Sequence, residues 1–316
     1  MSGEAKIRIA VVGAGLIGRA WAIVFARAGH PVALFDADRA ALQASLVALD
    51  TSLDDLAAAG LLAEPPAAVR LRIAPVPTLA GALDGAAYVQ ENIAENLAEK
   101  RALFAEMDRL VAPDAILASS TSTIPASQWS EGLAGRARCL VAHPVNPPHL
   151  VPLVELSPAP WTSAAVVART RALHEAVGQV PIVVNREIQG FILNRLQGAL
   201  LAEAFRLHAD GYVSAEDIDK TVRDGLGLRW SFMGPFETID LNAPAGLVQY
   251  CARYGGLYYE MAQQQTPRRW DDALVRRIES ERRALLPAEA LPARGEWRDR
   301  RLMQLIAHKR NAAKKD

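Results

Sequence analysis

Between Ile7 and Val184 the chain alternates short, mostly β-branched apolar runs with longer stretches in which apolar positions recur every three or four residues. That alternation is the pattern of strand–helix–strand units, which build a mostly parallel sheet with helices on both faces. Strands are predicted at Ile7–Val12, Val32–Phe35, Leu71–Ile73, Ala87–Val89, Ile116–Ala118, Cys139–Ala142, Leu153–Leu156 and Val180–Val184. The clearest helices fall at Leu16–Ala28, Asn96–Leu110 and Ala164–Val177. After Gly190 the strand signal disappears and the pattern is helical to the end, with breaks at Gly211, Gly225–Gly227, Pro235, Pro267 and Pro287. The reading is therefore an α/β, doubly wound sheet domain over residues 1–188 and a second, all-helical domain over 189–316. The second would open on FILNRLQGALLAEAFRL, whose nearly continuous apolar character predicts burial on most sides, as a core or dimer element. Ser214-Ala-Glu-Asp217 fits a capping box at a later helix start.

Composition narrows the class. At 316 residues two domains are expected. With 51% hydrophobic and 22% charged residues, the chain is far from the signature of disorder and has enough apolar material for a large core. Thirty-five basic residues balance thirty-five acidic ones, so no overall field draws the protein to nucleic acid or an anionic membrane, and a small-molecule partner is expected. Cys139 and Cys251 are too few for a disulfide framework and are not spaced as metal ligands; no metal is predicted. The N-terminus enters a strand with no secretory pattern, which predicts a cytoplasmic location. No uncharged apolar run reaches the ~18 residues of a membrane span; Leu140–Leu156 is punctuated by prolines. The basic tail His308–Asp316 reads as a solvated terminus.

The segment Gly13-Ala14-Gly15-Leu16-Ile17-Gly18 follows the first predicted strand and opens an amphipathic helix. Glycines at this spacing let the backbone turn tightly, approach a pyrophosphate and pack helix against strand, while the helix N-terminus faces the anion. Asp36 ends the second strand, where a carboxylate accepts hydrogen bonds from an adenosine ribose and repels a 2′-phosphate. The unit is a Rossmann-type dinucleotide site that favours NAD over NADP. A glycine turn and a helix-capping Asp36 are the plainer alternatives, weakened because the whole unit has the right length.

Polar residues gather in three segments, Ser119-Ser-Thr-Ser-Thr123, Ala142-His-Pro-Val-Asn-Pro147 and Leu153-Val-Glu-Leu156; the first two directly follow strands. In open α/β sheets ligands bind beyond the C-terminal ends of strands. A glutamate in an apolar strand needs a partner, and His143 is the candidate for Glu155: the carboxylate would fix the imidazole tautomer and stabilise its protonated form, whereas taken singly the two residues read as a hydrogen-bonded structural histidine and an edge-strand glutamate.

With their flanking motifs these segments resemble the 3-hydroxyacyl-CoA dehydrogenase superfamily, which carries GAGLIG, ENLAEK, SSTST, HPVNP, LVE and GFILNRL in this order. The resemblance spans nearly the whole chain. It is strongest to the lambda-crystallin branch, whose enzymatic member is L-gulonate 3-dehydrogenase, in AHPVNPPHLVPLVEL, GLGLRWSFMGPFETIDLNA and EWRDRRLM. It implies an NAD-dependent dehydrogenase acting on a CH–OH group, with a helical domain that mediates a homodimer. It makes His143 the general base, Glu155 its partner, Ser122 the hydrogen-bond partner of the reacting hydroxyl, and Asn194 a residue holding substrate and nicotinamide. Glu95, Lys100, Ser122 and Asn146 would contact the cofactor. Residue chemistry alone reads Lys100 as a solvated helix residue and Asn194 as a satisfied core polar group.

The hydroxyacyl-CoA branch carries a lysine-containing helical segment after the second strand that meets the CoA. The corresponding stretch here, Arg39–Ala74, contains no lysine. Arg229 stands where the lambda-crystallin branch has arginine, and a guanidinium can clamp a small carboxylate bidentately; without the resemblance it reads equally well as a surface arginine near a helix end. The expected substrate is a 3-hydroxy acid with a free carboxylate, L-gulonate first. The alternatives are a short-chain 3-hydroxyacyl-CoA dehydrogenase and, in another class, a non-catalytic crystallin-like or NAD-sensing protein.

Overall fold

The computed structural model of the chain describes residues 6–312. The strands are β1 Ile9–Val12, β2 Val32–Phe35, β3 Ile73–Pro75, β4 Tyr88–Glu91, β5 Ile116–Ser119, β6 Cys139–Pro144, β7 Leu153–Pro158 and β8 Val180–Val183. They form one sheet in the order β3-β2-β1-β4-β5-β6-β7-β8. All neighbours are parallel except β6 and β7, which run antiparallel. The order reverses at β1, whose neighbours are β2 and β4, and such a switch point opens a crevice beyond the strand ends.

Strands β1, β4 and β5 are buried along their whole length, which is why they read as continuous apolar runs rather than alternating ones. Alternate residues still serve different faces. Ile9 and Val11 join Trp21, Phe25, Leu34, Leu49 and Tyr88 in one core, whereas Ala10 and Val12 join Val89, Phe104, Leu117 and Trp129 in the other.

The chain divides into two compact units, the first made of residues up to Asn194 together with the segment from Glu296 onward, the second of Arg195–Gly295. The sequence boundary at 188 does not anticipate the return of the last helix, Leu291–Ala312, to the first unit. Its apolar positions explain the return: Met303 is buried in the first core, with Leu302, Ile306 and Ala307 packed against it. The part of the basic tail beyond residue 312 lies outside the described residues.

The second unit is helical. Ser214 caps the helix Ala215–Lys220 by accepting from the Asp217 amide at 3.1 Å. His208 Nε2 lies 2.7 Å from Glu281 Oε1, and Glu281 Oε2 accepts from the Ala215 amide at 2.9 Å, tying three helical segments. Gly225–Gly227 does not break the chain: a π turn, Thr221–Leu226, runs into the helix Gly227–Trp230. The expected burial of the helix Leu193–Ala209 on most sides is not met within one chain. His208 is its one buried residue among those described, and Leu196 is 63% exposed, because too few neighbouring side chains cover its apolar positions. The helix Gly246–Gln263 buries none of its residues, although Val248, Leu257, Tyr258 and Tyr259 lie along it.

Candidate active site

The turn after β1 is shaped by its glycines in three ways. Gly13 has φ +90°, and a Cβ there would come within 2.9 Å of the Asn92 carbonyl. A Cβ at Gly18 would sit 1.8 Å from the Gly13 oxygen, so the first turn of the helix Leu16–Arg27 packs directly on the loop. A Cβ at Gly15 would meet no protein atom within 4 Å. The fold does not need that glycine, but its absence of side chain keeps clear the space before the helix N-terminus. No side chain caps that terminus, so its first amides are available to an anion.

Asp36 reaches back from β2: its Oδ2 accepts from the Ala14 amide at 2.7 Å and its Oδ1 from the Asp38 amide at 2.9 Å. It braces the turn and keeps lone pairs for ribose hydroxyls. The cap of the next helix, Arg39–Ala58, is Asp38, which accepts from the Ala40 and Ala41 amides. The glycine turn, the uncapped helix and Asp36 fit a dinucleotide. Leu16 and Ile17 form the first helical residues beside it.

Beyond β4 and β5, two carboxylates organise the loops. Glu91 is fully buried, with Lys100 Nζ at 2.8 and 3.0 Å, the Ser119 hydroxyl at 2.5 Å and the Ile93 amide at 2.6 Å. Burial pushes the Glu91 carboxyl above its ordinary value, and these donors act against the rise. Lys100 is therefore no solvated helix residue: it is 1% exposed and also donates to the Ile93 carbonyl. Glu95 is exposed and holds the next loop, accepting from Thr121 Oγ1 at 2.7 Å and from the Ser122 amide. The Ser122 hydroxyl has no partner among the described residues. Asn194 is half-buried and donates from Nδ2 to the Ser122 carbonyl at 3.0 Å.

The reversal at β7 creates the central pair. In the antiparallel register His143 lies opposite Glu155, which places both side chains on one face, and His143 Nδ1 is 2.8 Å from Glu155 Oε2. The other oxygen, Oε1, accepts from the Ile192 and Leu193 amides at 2.8 and 2.9 Å, at the start of the helix Leu193–Ala209. Burial acts to raise the Glu155 carboxyl, but the bonds from His143, Leu193 and Ile192 together hold it below the usual carboxylate range. An ionised carboxylate only accepts, so Nδ1 carries the imidazole proton and Nε2 presents a lone pair. Nε2 has no protein partner among the described residues. This is the arrangement of a general base oriented by a carboxylate.

Phe191, which the sequence did not mark, holds the ring: it is fully buried, has φ +49° and lies 5.5 Å, centroid to centroid, from His143. Gly190 just before it also has positive φ, and that glycine with its place in GFILNRL is the signal the sequence offers. Asn146 is exposed on the connection between β6 and β7. Arg229 is exposed in the second unit, and its guanidinium pairs with no carboxylate among the described residues. No group of three or more potential ligands could hold a metal ion, and no helix is long and apolar enough to cross a membrane, among the described residues.

A switch-point dinucleotide crevice beside a carboxylate-oriented histidine defines an NAD-dependent dehydrogenase of CH–OH groups. The chain matches the 3-hydroxyacyl-CoA dehydrogenase NAD-binding domain over residues 8–188 and the C-terminal domain of the same enzymes over 190–283, and it belongs to that family. It is similar to a lambda-crystallin homologue of Bos taurus, 46% identical over 302 residues covering 94% of both chains. It is 38% identical over 239 residues to an L-carnitine dehydrogenase of Streptomyces coelicolor, covering 76% of this chain and 74% of that one. Among solved structures it resembles a 5-formyl-3-hydroxy-2-methylpyridine 4-carboxylic acid 5-dehydrogenase, an NAD+-dependent dismutase, with TM-score 0.83 and 26% identity over 96% of this chain and 99% of the other.

Proposed function

We propose that the enzyme oxidises the 3-hydroxyl of a small 3-hydroxy acid with a free carboxylate, L-gulonate to 3-dehydro-L-gulonate first. The observation that carries the chemistry is the His143–Glu155 pair, whose Nε2 lone pair has no protein partner among the described residues. Bound NAD supplies a hydride acceptor at C4 of its nicotinamide. Gly13, Gly15 and Gly18 with Leu16 and Ile17 would hold the pyrophosphate and Asp36 the ribose, with Glu95, Ser122 and Asn146 completing the contacts; Lys100, which the resemblance sets against the cofactor, is instead buried on Glu91 and the Ile93 carbonyl and acts from beneath the loop. His143 Nε2 removes the hydroxyl proton, and Glu155 stabilises the resulting imidazolium. Ser122 Oγ donates to or accepts from the reacting hydroxyl, and Asn194 secures the Ser122 loop through its bond to the Ser122 carbonyl. Holding base and hydroxyl in near-attack geometry is the larger part of what these residues contribute.

Three features favour a free acid over a CoA thioester. The lambda-crystallin homologue is among the most similar relatives. The carnitine dehydrogenase names a substrate that is itself a 3-hydroxy acid with a free carboxylate. The stretch Arg39–Ala74 has no lysine for a CoA phosphate. Arg229 is the proposed carboxylate clamp. The uncovered apolar helix Gly246–Gln263 supports a homodimer through the helical unit, which sedimentation equilibrium would report as twice the chain mass.

A panel of 3-hydroxy acids and acyl-CoA esters followed by NADH absorbance tests the reading: turnover of gulonate-type acids is expected, and turnover of acyl-CoA esters alone would replace it. In the same assay His143→Gln is expected to lower turnover by roughly two to four orders of magnitude while NAD binding survives. Arg229→Met should raise KM for the acids strongly, and an unchanged KM removes the clamp.

A further inference from the structure

Beneath the dinucleotide turn lies a buried polar chain that the catalytic residues do not use. The register of β5 on β6 ends at Ser119↔Val141, where β5 leaves the sheet to form the Ser119–Thr123 loop. Gln90, on β4 and fully buried, reaches across this gap. Its Nε2 donates to the Ala142 carbonyl at 3.2 Å, one residue before His143, and to Ser120 Oγ at 2.7 Å. Its Oε1 accepts from the Tyr88 hydroxyl at 2.6 Å.

The direction of every bond in the chain is fixed by its ends. A carbonyl only accepts, so the Gln90 amide must present its nitrogen to Ala142 and its oxygen to Tyr88. Tyr88 then spends its one proton on Gln90, and His174 Nε2, 3.0 Å away, must donate to Tyr88. Ser120 Oγ receives protons from Gln90 and from Trp21 Nε1 at 3.0 Å, so it donates to Asn92 Oδ1 at 2.7 Å. Asn92 Nδ2 in turn donates to the carbonyls of Gln90 and Val12 at 2.8 and 3.2 Å. Asn92 is the residue against which Gly13 packs, and its Nδ2 is 3.4 Å from where a Gly18 Cβ would be.

We infer that Gln90 is a positioning residue for the dinucleotide turn: through Ser120 and Asn92 it fixes the Gly13–Gly18 loop against the strand that carries His143. It touches neither substrate nor cofactor. Its loss would remove the Gln90 donor from the Ala142 carbonyl and leave the Tyr88 hydroxyl proton without its acceptor in a buried site, and the loop ends would relax to recover them.

The test is NADH binding by the full chain, read by fluorescence titration at a temperature where every variant is folded by circular dichroism. Gln90→Met keeps the shape and removes both donors; it is expected to weaken NADH binding about tenfold, the effect of one or two lost buried hydrogen bonds. Tyr88→Phe removes the distal link and leaves both Gln90 donors in place, so it should change affinity by no more than about threefold. Leu49→Ala, in the helix Arg39–Ala58, truncates the core that Trp21 and Tyr88 share but removes none of these hydrogen bonds; it should lower the melting temperature and keep NADH affinity within about twofold. Folded Gln90→Met with wild-type affinity overturns the inference, as does Leu49→Ala weakening NADH equally, which would make the effect one of stability. Should Gln90→Met not fold, Ser120→Ala takes its place in the titration: a severalfold loss supports the relay and wild-type affinity overturns it.

Discussion

Glu155 shows how much one side chain carries. Its two oxygens serve different structures, the His143 ring on one side and the Ile192 and Leu193 amides on the other. An amide cannot do both, since Gln has one accepting oxygen. Glu155→Gln is therefore expected either to take the acceptor from His143 Nδ1 or to leave the Ile192 and Leu193 amides facing an NH2 group. It should lower turnover by more than tenfold and stability by about 1–3 kcal/mol, the cost of buried polar groups left unpaired. Activity assays and urea unfolding read the two losses, and wild-type turnover would mean that the carboxylate does not orient the base. The sign of the pH dependence follows from the lowered Glu155 value. The pair's contribution is complete above the ordinary carboxylate range and is lost as pH falls through the lowered folded value. Lys100 and Glu91 are the opposite case, a buried pair with no solvent contact, where removal of either partner strands a charge.

At the scale of elements, the turn between β1 and the helix Leu16–Arg27 separates what the fold needs from what the ligand needs. Gly18→Ala would place a methyl 1.8 Å from the Gly13 oxygen and should cost both stability and NADH binding. Gly15→Ala meets no protein atom, so its melting temperature should match the wild type while NADH affinity falls. Thermal melts with and without NADH distinguish the two, and a Gly15→Ala protein stabilised by NADH as fully as the wild type would show that the nucleotide does not approach there. This element was legible because its spacing is local: Gly13, Gly15, Gly18 and Asp36 lie within one strand–helix–strand unit, and all eight strands are marked by apolar runs. The His143–Glu155 pair was legible because a charged residue inside the apolar run of β7 asks for a partner. What was not legible depends on pairing at long range. The Gln90 reach from β4 to Ala142 and the grip of Phe191 on His143 each require strand order and direction, which no periodicity encodes. The return of Leu302, Met303 and Ile306 to the first core is a similar case, since an amphipathic helix does not say which core it joins.

For the whole molecule, one buried and one half-buried imidazole tie stability to pH. His174 is fully buried, stacked edge-on against Trp21 and Tyr88, and burial lowers its pKa to about 3. His149 is lowered to about 4 by burial, with Arg27 and Arg19 adding to the effect. A histidine whose folded value lies below its unfolded one stays neutral in the native state while the unfolded chain takes the proton. Stability therefore rises with pH across that window, and as pH falls from about 6.5 towards 4 it is progressively lost, at up to ~1.4 kcal/mol per pH unit for each such group. His174→Gln isolates the contribution, because a glutamine amide can still donate to the Tyr88 hydroxyl but binds no proton. Its unfolding free energy, measured in urea at half-unit steps between pH 4.5 and 6.5, should show a slope shallower by close to one proton than that of the wild type. The absolute stability of the variant is free to move either way through packing. An unchanged slope would mean that His174 takes up the proton in the native protein as well, with Nε2 still donating to Tyr88.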